Sequence, residues 1–211
     1  MPLPATIPIF PLPNVVLFPD VCLPLRVFEP RYRQMLAAAL NGDRMIGMVL
    51  LKAGYEADYE GRPPVYDIGC AGLITHAEQL EDGRSNIMLH GIQRFRIVAE
   101  NHELAYRRGR VEALLDPLTQ DERPALRDAR HRLEALVGPV VEGAGAEVHI
   151  PPTIPDHELV NALAQYLPLD AVEKQALIEC EGVLARCGAL IELLEMKVLL
   201  VRNCRASAFR Q

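Results

Sequence analysis

Tryptophan is absent from this 211-residue sequence and aromatic residues make up only 5% of it, which leaves little from which to build base-stacking or sugar-stacking platforms. Serine is nearly absent too. Ser85 and Ser207 are the two present, and neither lies in a G-x-S-x-G elbow. Lysine occurs at Lys52, Lys174 and Lys197 alone, and no Ser/Lys pairing is legible. Serine-hydrolase chemistry is therefore not expected. No Gly-Lys dipeptide and no G-x-G-x-x-G occurs, so a phosphate cradle for a nucleotide is missing and an ATP-driven activity would need another chain.

Metal and thiol chemistry have equally little to work with. His76, His90, His102, His131, His149 and His157 show neither H-x-x-x-H nor H-E-x-x-H spacing, although His149 and His157 flank one loop and could meet. Cys22, Cys70, Cys180, Cys187 and Cys204 are odd in number, scattered, without a C-x-x-C pair and set in apolar contexts, as buried thiols usually are. The first 20 residues hold six prolines and no basic residue, so they lack a signal-peptide n-region. Together these features predict a cytoplasmic chain with reduced thiols. The most apolar stretch, residues 189–201, is interrupted by Glu192, Glu195 and Lys197, so no membrane span is expected. A formal charge of −6 disfavours non-specific binding of nucleic acid. No cofactor and no metal are expected.

What is present is an ordinary globular composition, 50% hydrophobic and 24% charged, long enough for one large domain or two small ones. The pattern predicts an α+β chain: a β-rich domain over 1–117, a curved sheet or pseudo-barrel with one helix, and a helical bundle over 118–211. Residues 7–10 and 15–18 are short extended segments fenced by Pro11, Pro13 and Pro19, which reads as edge strands or strand ends. Residues 22–27 form another strand, and a helix starts at Glu29-Pro30 and closes at Gly42. The continuous apolar run 45–51 predicts a strand buried on both faces. Residues 68–80 and 87–98 flank Asp82-Gly83, a hairpin signal, and 110–115 reads as the last strand. Thr119-x-x-Glu122 and Asp170-x-x-Glu173 have capping-box form. The first of these helices should stop at Gly138-Pro139, another should run from Pro155-Asp156 to Leu167, and a third should end near Gly182. The last helix places Leu184, Cys187, Ile191, Leu194, Val198 and Val201 on one stripe for a neighbouring helix. The Gly/Pro-rich stretch 138–153 reads as a linker able to vary the angle of the helical part. Arg94, Arg96, Arg107, Arg108 and Arg110 would form one basic surface if their strands pair, and a solvated strand face is the expected reading of it.

Ile7-Pro8-Ile9-Phe10-Pro11-Leu12-Pro13-Asn14-Val15-Val16-Leu17-Phe18-Pro19, followed by Leu23-Pro24-Leu25-Arg26-Val27-Phe28-Glu29-Pro30-Arg31-Tyr32, resembles the opening of the Lon protease N-terminal substrate-binding domain. Ile68-Gly69-Cys70, Asp82-Gly83-Arg84 and Gly91-Ile92-Gln93-Arg94-Phe95 fall in the order that family would place them. The resemblance covers roughly residues 5–117, and the helical part resembles the tail of the stand-alone bacterial form without ATPase or peptidase domains. It implies a PUA-like curved β fold and a non-enzymatic module that binds unfolded or apolar polypeptide as an adaptor, with a protease or chaperone as further partner. No catalytic residue transfers. Phe10, Leu12, Val16 and Phe18 lie near a sheet edge that could take an extended client, with the core as the competing place for most of them. Glu29, Arg31 and Tyr32 match the family's most recognisable motif, with helix-start electrostatics, ion pairing and packing as the structural alternative. Arg94 and Phe95 stand for the second motif. Two other readings stay open at this stage: RNA binding through the arginines at 94–110, and a hydrolase using a Cys or His.

Overall fold

The computed structural model describes residues 2–55, 61–101, 103–142, 150–151 and 153–208. In chain order the elements are β1 (Thr6–Leu12), β2 (Cys22–Val27), α1 (Pro30–Leu40), β3 (Met45–Leu50), β4 (Ile68–Gln79), β5 (Ser85–Asn101), β6 (Arg107–Leu114), α2 (Glu122–Glu142), α3 (Asp156–Tyr166), α4 (Ala171–Glu179) and α5 (Val183–Ala208). By contacts they divide into two units, residues 1–115 with 170–179, and residues 116–169 with 180–211.

In the first unit the strands run β2-β5-β4-β3-β1-β6, and β5 also pairs with β6. That extra pairing closes β1, β3, β4, β5 and β6 into a ring and leaves β2 as an appendage on β5. β5 serves three neighbours because it is 17 residues long: Ser85–His90 face β2, while Arg94–Asn101 face β6. The Asp82-Gly83 hairpin forms as the sequence predicts, with Gly83 at φ +79°.

The first strand departs from expectation. β1 is internal rather than an edge, pairing with β6 over Thr6–Ile9 and with β3 over Ile9–Leu12. Each ladder covers half of the strand. The Val111 N–H bonds the Ala5 carbonyl and the Leu51 N–H bonds the Leu12 carbonyl, so odd-numbered residues turn their backbone groups to β6 and even-numbered ones to β3. Pro8 therefore faces β3 before that ladder begins, and Pro11 faces β6 after that ladder has ended. Neither missing N–H falls inside a ladder, which is why two prolines are tolerated. Residues 15–18 form no strand, yet Val16, Leu17 and Phe18 are buried: this segment contributes side chains and not backbone pairing.

β3 is buried at every residue, as its unbroken apolar run predicts. Ile46 and Met48 pack with Tyr32, Met35 and Leu36 of α1, while Val49 joins Ile7, Ile9, Phe95 and Val111 in a second cluster. Gly47 makes room between these groups, since a Cβ there would lie 2.8 Å from both the Phe95 ring and Ile7 Cδ1. α4 belongs with this unit rather than with the other helices. The buried guanidinium of Arg94 donates to the Ile178 carbonyl at 2.7 Å, satisfying an orphan acceptor at the end of α4, and Gln175 Nε2 donates to the Ile68 carbonyl at 3.0 Å.

The second unit holds α2, α3 and α5. Leu126, Leu133 and Val137 of α2 are buried, as are Cys187, Ile191 and Leu194 of the predicted α5 stripe. α2 does not stop at Gly138-Pro139 but continues to Glu142. Proline removes one helical hydrogen bond and so disfavours the helix locally, yet the helical backbone runs on through it. The rest of the expected linker, 143–149 and 152, lies outside the described residues, and with it His149. Arg186 is fully buried in this unit, donating to Asn161 Oδ1 at 2.7 Å and pairing with Asp116 at 2.9 Å.

The Thr119 capping box forms in both directions, and the Asp170 box forms through its Glu173 carboxylate. Glu122 accepts from the Thr119 N–H at 2.9 Å and from its hydroxyl at 2.8 Å, and the Asp170 N–H donates to Glu173 at 2.7 Å. The Thr119 bonds, the backbone one first, hold the Glu122 carboxyl below its usual range. A group whose pKa is lowered in the folded state contributes above its unfolded pKa, and that contribution fades as pH falls through the folded value. The stability gap between the native chain and Glu122→Ala should therefore be present at neutral pH and close in acid. Urea titrations at a series of pH values read it directly, and a gap that persists at the acid end contradicts the cap.

Candidate binding surfaces of the barrel

The motif residues singled out in the sequence end up in different surroundings. Phe10, Phe18 and Phe95 are 3%, 0% and 0% exposed and belong to the core, so their side chains are not displayed to a ligand; Leu12 is half-buried. Tyr32 is also buried, with its ring centroid 4.4 Å from that of Phe10 and the Arg31 guanidinium 4.6 Å above its face. Glu29 occupies the N-cap position of α1, but its carboxylate makes no cap and instead pairs with Arg31 Nε at 2.9 Å. Phe28, which precedes Glu29 in the same motif, is 60% exposed.

Gly91, the first residue of the second motif, is fixed by a close approach. A Cβ there would overlap the Phe18 carbonyl oxygen and lie 2.9 Å from its carbon, because the Asp20 N–H bonds the Gly91 carbonyl and the Gly91 N–H bonds the Val21 carbonyl. The same motif places Arg94 under α4.

The five arginines do not make one basic surface, and the solvated-face reading fails for two of them. Arg94 is 4% and Arg107 7% exposed. Arg107 pairs with Glu100 at 3.0 Å and donates to the Pro63 carbonyl, partners that neighbouring sequence does not reveal. Arg96 and Arg110 are exposed, but Glu112 stands opposite Arg96 in the β5–β6 ladder. The RNA reading loses its platform.

The thiols are likewise divided. Cys70 and Cys187 are buried, and burial, with the Asp156 charge adding to it, pushes the Cys187 thiol up to about 11, so it is neutral at physiological pH. Cys22, contrary to its apolar sequence context, is exposed, and its Sγ lies 3.7 Å from Nδ1 of His90, the residue opposite it across the β2–β5 ladder. No group of three or more potential metal ligands occurs among the described residues, and no described helix is long and apolar enough to cross a membrane.

The feature that suits a chain-like ligand was not visible in sequence. β3 pairs with β4 over Cys70–Leu73 and the Ile74 N–H bonds the Arg44 carbonyl, and beyond Ile74 no described strand pairs with β4 on that side. The Leu80 N–H bond to the Arg84 carbonyl sets the alternation, by which Ala77 and Gln79 turn their backbone groups away from β5. Beside this edge lies a groove of about 520 Å³, lined by Leu36, Ala37 and Leu40 of α1 and by Ala77, Glu78 and Gln79 of β4, with Arg33 and Gly83 at one end. An open strand edge flanked by an apolar helix face is the geometry that accepts an added strand.

The closed five-stranded ring with its appended strand and α1 is part of a fold shared with solved Lon N-terminal domains. The Lon N-terminal domain protein from Xanthomonas campestris matches with a TM-score of 0.60 at 22% identity, covering 89% of this chain and 97% of that one. The N-terminal domain of the Mycobacterium avium complex Lon protease matches with a TM-score of 0.64 at 18% identity, covering 90% and 98%. In sequence, Lon protease 2 of Myxococcus xanthus is 29% identical over 201 residues, and Lon protease of Escherichia coli K12 is 26% identical over 208; these cover 92% and 93% of this chain. The chain spans about a quarter of the length of those relatives, 24% and 25%. The model of the ATP-dependent protease La (LON) substrate-binding domain matches residues 6–196, and the chain belongs to that family.

Proposed function

We infer that this chain is a substrate-recognition module that binds unfolded or apolar polypeptide segments and performs no bond-breaking chemistry itself. The observation that bears the reading is the unpaired distal edge of β4 beside the apolar face of α1, in a chain of a substrate-binding family. An extended client laid there gains backbone hydrogen bonds from Ala77 and Gln79 and buries alternate side chains against Ala37 and Leu40. Such recognition is tolerant of sequence, because the backbone supplies the affinity and shallow pockets the preference. The module would work in the cytoplasm as an adaptor, handing clients to a protease or chaperone that supplies nucleotide hydrolysis and cleavage.

Titrating the chain into a fluorescently labelled, permanently unfolded polypeptide without nucleotide should give binding in the micromolar range. Ala77→Pro removes an outward N–H and leaves the β5 ladder intact, so it should weaken binding about three- to tenfold, the worth of one backbone hydrogen bond at about 0.5–1.5 kcal/mol. No binding at about 100 μM, some 5.5 kcal/mol, removes the reading. So does cleavage of the labelled chain by the purified protein.

A further inference from the structure

The groove beside β4 carries a single full charge on its α1 side, and among the described residues that charge has no partner. Arg33 lines the groove, is exposed, and forms neither an ion pair nor a side-chain hydrogen bond with any described residue. Its guanidinium lies across the hairpin turn. A Cβ on Gly83 would stand 2.6 Å from one terminal nitrogen of Arg33 and 3.3 Å from the other, so the bare glycine makes its place. Asp82, next to Gly83 in the chain, is taken by Arg84, whose backbone N–H and Nε donate to it at 3.0 and 2.6 Å. Helix stability does not call for a cation here either. Arg33 ends the first turn of α1, where the positive end of the helix dipole disfavours it, and that turn contains no acidic residue.

Two contacts fix how α1 runs along the open edge. Arg33 meets Gly83 at the hairpin end, and the Arg44 carbonyl, just past the C-terminus of α1, accepts the Ile74 N–H at the other. Ala77 packs against the cluster that holds Met35 and Leu36, so Ala77 and Gln79 turn their side chains to the α1 side of β4 and Glu78 turns to the opposite side. A client residue paired with Ala77 or Gln79 shares their face. Same-face residues of the client fall about 7 Å apart, against about 6 Å from Arg33 to Ala37 and about 10 Å from Arg33 to Leu40 along the helix. A client side chain that reaches Arg33 is thus two or four residues from those that meet Ala37 and Leu40.

We propose that the groove selects extended segments in which an acidic side chain lies two or four residues from an apolar one on the same face, with Arg33 reading the acid. The proposal rests on the strand-addition reading and adds to it the class of client. The planar fork of a guanidinium matches a carboxylate, whereas a basic side chain at that place meets a like charge. Glu78 does not oppose the acid, because the alternation of the strand sets it on the far side of the client.

Fluorescence anisotropy on the intact chain tests it with three labelled peptides. The parent, Glu-Thr-Leu-Thr-Leu-Thr-Glu with blocked ends, presents the same pattern in either strand direction, and its two relatives carry Gln or Lys at both ends. The Glu peptide should bind about three- to fivefold more tightly than the Gln peptide, the upper range for an exposed ion pair. The Lys peptide should bind more weakly than either, and the differences should shrink with added salt. Arg33→Gln should bring the Glu and Gln peptides to one affinity, and Arg33→Glu should place the Lys peptide first. Circular dichroism checks that both variants are folded. Ala77→Pro should weaken all three peptides alike. Equal binding of the Glu and Gln peptides by the native chain, or a Glu preference that survives Arg33→Gln, overturns the proposal; strand addition stands without it if Ala77→Pro still weakens binding. Failure of all three peptides to bind overturns both.

Discussion

Replacing Arg186 by alanine should destabilise the unit of α2, α3 and α5 by about 3–5 kcal/mol, because it removes one partner of a buried ion pair and strands the others. Arg186 is fully buried, Asp116 is 22% exposed in its side chain, and Asn161, which accepts the second bond, is itself buried. The loss has two parts: the cavity left by a long side chain, and the loss of the Arg186 donor to a carboxylate and an amide. A loss of that size is a large share of the total stability of a domain, which typically stands at about 5–15 kcal/mol. Urea unfolding followed by circular dichroism measures it. The double variant Arg186→Met with Asp116→Leu separates the parts, since replacing both charges by apolar groups should recover most of the loss. A single-variant effect below about 1 kcal/mol would show that the pair is not the organising contact of these helices.

Gly91→Ala should be the second severe change, costing about 1–3 kcal/mol or more through forced displacement of backbone. The obstacle is the Phe18 carbonyl and Pro19 Cα, the latter 3.2 Å from where the Cβ would stand, and neither can swing aside as a side-chain tip can. Gly188→Ala is the matched control. It lies in α5 with nothing within 4 Å of an added Cβ, so the substitution should stabilise by about 0.5–1 kcal/mol. Opposite signs for two Gly→Ala changes, read from thermal or urea unfolding, isolate packing from backbone entropy. Similar signs would mean that the segment around Phe18 yields more readily than the hydrogen bonds of Asp20 and Val21 to Gly91 suggest.

The parts of this fold that were legible in the sequence are those whose physics is local. Asp82-Gly83 needs only its own dihedrals, the Thr119 and Asp170 boxes need four residues each, and the β3 run announces burial on two faces without saying against what. Burial of Arg94 and Arg107 was not legible, because the groups that make it tolerable are the Ile178 and Pro63 carbonyls and Glu100, 84, 44 and 7 residues away. Neighbouring residues therefore suggested a solvated basic face. The groove was hidden for the same reason: it sets Arg33, Ala37 and Leu40 of α1 beside Ala77 and Gln79 of β4. Phe10 and Phe18 illustrate the reverse case. A motif rich in aromatics is compatible both with client contacts and with the core, and the fold places these two in its interior.

The two prolines of β1 have a consequence beyond being tolerated. Extending the β3 ladder backward along β1 by one residue reaches Pro8 on its donor-less side, and extending the β6 ladder forward by two reaches Pro11 on its own. Each neighbour is thus halted at mid-strand, and the two are displaced lengthwise from one another. Such a displacement, summed around the ring, is the shear that lets so few strands bend shut. The imino residues mark the points past which neither ladder can extend along β1.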